Sequence, residues 1–451
     1  GPSTHRGVRP LDRRRNVNEA LECLVTEVPG PRTAELAARL RAHESRNVTF
    51  IAADFPVFWE SADGATVTDV DGNRYLDATA AFGVANAGHC NPRVADAVAR
   101  QVRQLVHGMG DVHPSQIRVQ LLERLAQILP CSLDRVFLAT TGSEAVEAAL
   151  KSAILHTGKS RFAAYHGAYH GLSFGALAVG GIERFREPFA GALGAPAMLL
   201  DYPSERTTSA RDAIDGVRRA FSVRDDLAAV IIEPIQGRGG VIVPPRGYLQ
   251  ALRVLCDERR IVMIVDEIFT GFGRTGAWFA VDRESVVPDI LCIGKAMGSG
   301  LPISAAAGRA EIMSSWPESS GEALHTSTYL GNPLACAAAI ATIDELERLD
   351  LPAKARRAGS MLGRRLQRLR SHSSVVDVRG TGMLYGIALC DAARAAAVVK
   401  SALRNGLILL QSGPAGDVIT ISPPLVITQR QLERVLEILE RAIMETERST
   451  A

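Results

Sequence analysis

Lysine is nearly missing from this chain. Of 51 basic residues in 451, only Lys151, Lys159, Lys295, Lys354 and Lys400 are lysines. A charge excess is missing too: the formal net charge of +2 removes the electrostatic case for nucleic acid or an anionic membrane as the main partner. The seven cysteines, at 23, 90, 131, 256, 292, 336 and 390, form no CxxC or other metal-ligand spacing. Their number is odd and their distribution scattered, so reduced core thiols of a cytoplasmic protein are expected, with no metal site. Long apolar runs are lacking as well. The longest uncharged stretch, residues 162–182, is broken by His166, His170 and several glycines, which excludes it as a membrane span. The chain opens Gly1-Pro2 in place of Met, as a processing scar would. Arg6, Arg9, Arg13, Arg14 and Arg15 follow with no apolar region behind them, so a solvated arm is expected and not a signal peptide. Glycine and proline are scattered without period, and no internal repeat is visible.

What is present is ample core material. Hydrophobic residues make up 47% of the chain and charged residues 22%, which excludes disorder. At 451 residues a single core is exceeded, and two or more domains are expected. Helical spacing appears in residues 33–45, after Pro92 in VADAVARQVRQLV, and after Pro114 in IRVQLLERLAQIL. Between the first two, ATVTDVDGNRYLD reads as a hairpin turning at Asp71-Gly72. From Asp134 the rhythm changes. Short apolar runs (RVFLAT, RFAAY, APAMLL, LAAVIIEP, IVMIVDE, DILCIGK) alternate with helical patterns (SEAVEAALKSAIL, YLQALRVLCDER). This alternation predicts an α/β fold with a mostly parallel sheet flanked by helices, whose ligands gather at the carboxyl ends of the strands. The polar residues closing those runs are Thr140-Thr141, Glu233, Asp266 and Lys295. Ala-rich helices and a short VVDVRGTG strand then suggest a smaller C-terminal domain.

Four of these polar features together suit one chemistry. Lys295 is the only lysine that ends an apolar strand-like run, and the small residues AMGSG after it leave room for a flat ring beside its amine. An electrophilic cofactor such as pyridoxal 5'-phosphate needs such an amine for a Schiff base. Asp266, closing IVMIV, suits the partner of a pyridine nitrogen. Gly142-Ser143 lie where a strand meets a helix start, a cradle for phosphate. Tyr169 in GAYHG could stack on the ring. Each also has an ordinary reading: a surface lysine, a capping carboxylate, a Ser cap, an aromatic filling a glycine-rich loop. His166 and His170 stand four apart, but the glycines around them argue against a helical zinc pair.

The segments TTGSEAVEAALK, GAYHGLSFGAL, IIEPIQGRGG, VDEIFTGFGRTG, IGKAMGSGLP and TSTYLGNPLACAAA occur in this order. They resemble the class III (4-aminobutyrate/ornithine/putrescine type) aminotransferases over nearly the whole chain. The resemblance implies a fold-type-I, pyridoxal-phosphate-dependent homodimer with shared active sites, acting on an amine donor and a carbonyl acceptor. It implies Lys295 as Schiff-base lysine and proton carrier, Asp266 as pyridinium partner, and Gly142 and Ser143 on the phosphate. Tyr169 and Ile268 would bracket the ring, Glu233 would lie near its hydroxyl side, and Thr328 would reach the neighbouring subunit's cofactor phosphate. Phe82 falls where the family lines its substrate pocket. The expected division is residues 1–77 as an N-terminal arm packing with the small domain, 78–335 as the large cofactor-binding domain, and 336–451 as the small α+β domain.

Four departures from the family pattern concern the substrate. Leu172 stands where amino-acid-handling members often carry Arg, and Thr420 where glutamate-recognising members place the Arg of an R-I-x-x-P-L pattern. Arg238 replaces a Glu after EPIQG, and Phe269 a common Gln. Carboxylate recognition is therefore expected to be non-standard. Arg238 either meets a substrate anion, points to solvent, or pairs with an acid. A racemase, epimerase or aminomutase on the same scaffold, and a non-catalytic regulator, are the competing readings.

Overall fold

The computed structural model describes residues 19–194 and 196–448. Gly1-Pro2 and the arginine-rich arm lie outside the described residues. The centre is a seven-stranded sheet in the order Arg135–Ala139, Ser304–Gly308, Ile290–Ile293, Val262–Asp266, Leu227–Ile232, Arg161–Tyr165, Met198–Leu200. The pairings from Ile290–Ile293 outward to Met198–Leu200 are all parallel, and Ser304–Gly308 runs against both its neighbours. The expected α/β architecture is therefore present.

Side chains on a strand alternate between faces. Val230, Ile232, Met263, Val265, Leu291 and Ile293 enter one core, whereas Ala229, Ile231, Ile264, Ile290 and Cys292 enter another on the opposite face. Both faces are covered, which is why these strands read as continuous apolar runs. The second core is closed by helix Gly142–Thr157, whose Ala145, Ala148, Ala149 and Ala153 are all fully buried. Small side chains let its axis approach the sheet closely. The sequence reading did not identify Ser304–Gly308. Its SAAAG is poor in the β-branched and aromatic residues that mark strands, but Ala306 must be small to fit under that helix.

Two smaller sheets flank the centre. The hairpin expected at Asp71-Gly72 forms between Thr66–Asp69 and Arg74–Asp77, with Gly72 at φ 90° where a side chain would be strained. Its sheet is completed by Leu407–Ile408, parallel to Arg74–Asp77, so the N- and C-terminal segments share one body. The other sheet, Val375–Thr381, Leu384–Leu389, Val418–Ile421 and Leu410–Ser412, is antiparallel throughout. Among the described residues no helix is long and apolar enough to cross a membrane, and no cluster of metal ligands occurs.

Candidate active site

The carboxyl ends of four adjacent parallel strands carry the polar groups. Asp266 ends Val262–Asp266, Glu233 follows Leu227–Ile232, Tyr169 and His170 lie in the loop after Arg161–Tyr165, and Lys295 follows Ile290–Ile293 by one glycine. Lys295 sits at φ 43°, a left-handed conformation unusual for a residue with a side chain. Such backbone strain collects at functional sites. Burial pushes the Lys295 amine below the ordinary lysine range, and the nearby Asp266 and Glu233 pull it partly back. Its Nζ lies 4.9 Å from the centroid of the Phe269 ring.

Asp266 is 5% exposed. Its Oδ1 accepts the Ile268 N–H at 3.0 Å, and its Oδ2 stands 2.8 Å from His170 Nδ1. Glu233 Oε1 accepts the Tyr169 N–H at 2.9 Å and Oε2 the Gly237 N–H at 3.0 Å, tying the Tyr169 loop to the loop that carries Arg238. Burial raises the Glu233 carboxyl to about 7, and the charge of Asp266 adds to the rise. His170 and the two backbone donors oppose it.

Across the same sheet edge, helix Gly142–Thr157 begins. The capping residue is Thr141, not Ser143: its hydroxyl accepts the Glu144 N–H at 3.3 Å while Glu144 returns a bond to the Thr141 N–H. Such a cap contributes about 1 kcal/mol. The free N–H groups and the helix dipole favour an anion at this start. A Cβ at position 142 would come within 2.8 Å of Ile268 Cδ1, so glycine keeps the cradle open. Ser143 Oγ accepts the Leu172 N–H at 3.3 Å.

The remaining sequence-selected residues divide. Phe82 is 60% exposed in left-handed backbone beside Gly83, and a Cβ at Gly83 would collide with the Phe269 ring. Phe269 is thus held between Gly83 and Gly237, under the Lys295 amine. Arg238 is half-buried and makes no ion pair among the described residues. Its guanidinium is lowered by burial, and Tyr169 lies near enough to interact with it. Leu172 is exposed. Thr420 is buried, and its hydroxyl is 2.6 Å from Ser412 Oγ. Thr328 occupies an exposed turn and is not among the buried groups of this cluster.

One residue of the cluster was considered only as a metal ligand: His170, which is 2% exposed and bonded to Asp266. No spacing rule joins two residues 96 apart in sequence. The only signal was its place in a strand-end loop beside Tyr169.

The donor set fits pyridoxal phosphate. An open helix start, a desolvated amine and a buried carboxylate converge on one sheet edge, and His170 Nε2 is buried with no hydrogen-bond partner among the described residues.

A sequence model of aminotransferase class III matches residues 50–443. The chain is 37% identical to an acetylornithine aminotransferase of Methanosarcina mazei, over 86% of this chain and 92% of that protein. It is 38% identical to a 4-aminobutyrate aminotransferase of Mycobacterium leprae, over 93% and 97%. Among solved structures, an amine transaminase from an uncultivated Pseudomonas species, in its PLP-bound form, superposes with a TM-score of 0.83 at 31% identity, covering 90% of this chain and 99% of that one.

Proposed function

The chain belongs to the class III aminotransferase family, and we propose a residue-by-residue reading of how it performs the family's reaction. It is a pyridoxal-phosphate-dependent aminotransferase that moves an amino group between an amine or amino-acid donor and a carbonyl acceptor. When bound, the cofactor supplies the electron sink that labilises a bond at the amine-bearing carbon and stores the nitrogen between half-reactions. Its attachment point would be Lys295, whose amine would also carry the proton at the reacting carbon. Burial lowers the pKa of that amine, the direction that favours the neutral form proton transfer uses. Asp266 would partner the pyridine nitrogen and favour its protonated form. The N–H groups of Gly142 and Ser143 would hold the phosphate, Tyr169 and Ile268 would bracket the ring, and Glu233 would lie toward its hydroxyl. Phe269 shields the Lys295 amine from water.

The observation that carries this reading is the convergence of Lys295, Asp266, Glu233 and the Gly142 helix start on one edge of the parallel sheet. Thr328 serves the cofactor of a second copy, so the active unit is a homodimer, with residues 78–335 as the cofactor domain and a cytoplasmic location. On the substrate side, Leu172 and Thr420 carry no charge. Arg238, half-buried and without an acid partner among the described residues, is the group left to meet a substrate anion. The two curated relatives described above are named for acetylornithine and 4-aminobutyrate, amines that bear a carboxylate away from the reacting nitrogen. A racemase, epimerase or aminomutase is not favoured, since these relatives are aminotransferases. A screen of donors against the holoenzyme tests the reading: a reactive amine alone should convert the cofactor stoichiometrically to its amine form. Turnover with no such conversion would reject it.

A further inference from the structure

The Phe269 ring is set between two glycines. A Cβ on Gly83 would come within 2.6 Å of its Cε2 and 2.7 Å of its Cδ2, and one on Gly237 within 2.4 Å of its Cδ1 and 2.9 Å of its Cε1. Bare backbone therefore flanks both long edges of the ring and fixes its orientation. Each glycine is itself held. The Gly83 N–H donates to the Thr79 carbonyl at 3.0 Å, and Asp77 Oδ1 accepts the Thr79 N–H at 2.7 Å and its hydroxyl at 2.6 Å. Glu233 holds the Gly237 N–H on the other side. Away from the glycines, the ring packs on a small core of Ile235, Val241 and Leu384. Over its face stands the Lys295 amine, 4.9 Å from the centroid. Among the described residues that amine makes no hydrogen bond and no ion pair. The acids that face it, Glu233 and the Asp266 bonded to His170, act on it without touching it.

Resting on the aminotransferase reading and deepening it, we propose that the face of Phe269 is the seat of the protonated Lys295 amine. Phe269 is then a positioning residue, holding the proton-carrying form of Lys295 beside the chemistry. The face of an aromatic ring is negative and attracts a cation placed over its centre. The seat matters when a substrate amine has displaced Lys295. The freed amine would take the proton from the reacting carbon, hold it as the third hydrogen of an ammonium, and deliver it to another atom. A carboxylate in ion-pair contact would grip that ammonium and oppose the delivery. Purely aliphatic surroundings would reject its charge. A ring face lies between these extremes: it compensates the charge without accepting a conventional hydrogen bond, so the proton can leave again. The Gln common at this position in the family has no such face.

The test reads the amine itself, and the scarcity of lysine makes that practical. Full-length apo-protein is trace-acylated with acetic anhydride across pH, and mass spectrometry follows Lys151, Lys159, Lys295, Lys354 and Lys400 separately. Position 269 carries phenylalanine or its 4-fluoro, 3,5-difluoro or 3,4,5-trifluoro analogue, which drain the ring face while nearly keeping its shape. Phe269→Leu and Phe269→Tyr complete the series. The Lys295 midpoint should fall stepwise with fluorination. Phe269→Leu should lower it by roughly half to one pH unit, a three- to tenfold loss of proton affinity, and Phe269→Tyr should keep it. Lys354, whose amine donates to the Val426 carbonyl at 3.2 Å, should not move and reports an intact fold. In holoenzyme the donor half-reaction should slow in the same order with KM unchanged. A Lys295 midpoint or a half-reaction rate that ignores the fluorine series would overturn the proposal and leave the ring a packing residue. If no amine converts the cofactor while the midpoint follows the fluorines, the aminotransferase reading fails instead and the seat for the ammonium stands.

Discussion

His170 Nδ1 and Asp266 Oδ2 lie 2.8 Å apart in a place where neither residue is more than 5% exposed. The imidazole aligns a buried carboxylate whose other oxygen is held by the Ile268 N–H. Leaving a buried charged acceptor unsatisfied costs about 1–3 kcal/mol. His170→Phe should therefore weaken cofactor retention and kcat roughly 5- to 150-fold. His170→Asn, which keeps a donor, should recover part of the loss. Equilibrium titration of pyridoxal phosphate into the apo-proteins measures this directly, and unchanged affinity in His170→Phe would remove the positioning role.

Lys295→Ala should abolish both turnover and the visible absorbance of the lysine-linked cofactor. A borohydride-reducible adduct at another lysine would reassign the attachment point. The desolvated amine also makes a pH prediction. Since only the neutral amine attacks the cofactor aldehyde and burial lowers its pKa, capture by apo-enzyme should rise with pH. It should level off below 10.5, the ordinary lysine value. Stopped-flow absorbance across pH checks it, and a plateau at or above that value would contradict it.

Sedimentation should find the holoenzyme as a dimer, and Thr328→Val should loosen the cofactor without unfolding the protein. A fully active monomer would refute the shared site.

Glu447 offers a stability test far from the chemistry. Its Oε1 accepts the Ser374 N–H at 2.8 Å and the Ser373 hydroxyl at 3.0 Å. These bonds, the Ser374 N–H first, hold the carboxyl down to about 2 from 4.5. A folded pKa below the unfolded one stabilises above 4.5, and that contribution disappears as pH falls toward 2. Glu447→Gln should cost about 1–2 kcal/mol in urea unfolding at pH 7, and the difference from wild type should shrink below pH 4.5. A gap that does not change with pH would argue for lost packing instead.

The large sheet was legible because its strands are buried on both faces and end in polar residues. Glu233, Asp266 and Lys295 could be aligned on one edge from the alternation alone. Ser304–Gly308 was not legible, because alanines chosen to fit beneath a helix carry no strand signature. The Thr141 cap was hidden beside an equally suitable Ser143. The His170 to Asp266 bond and the hold of Glu233 on the Tyr169 N–H join residues far apart in the chain, through loops whose paths are set by tertiary contacts. Sequence could propose the components of this site, but not which of them touch.

The pairing of Leu407–Ile408 with Arg74–Asp77 has a consequence for synthesis. A ribosome releases the hairpin Thr66–Asp77 long before the strand that completes its sheet exists. During that interval Cys23 covers the edge of Arg74–Asp77 at Arg74, and the part from Tyr75 to Asp77 is open to any extended segment nearby, including the same edge on a neighbouring nascent chain. Parallel, long-range closure of this kind is slow. Chaperone occupancy on polysomes should therefore persist until about residue 410 has cleared the exit tunnel, and shortening the C-terminus ahead of Leu407 should yield aggregates and not a smaller soluble enzyme.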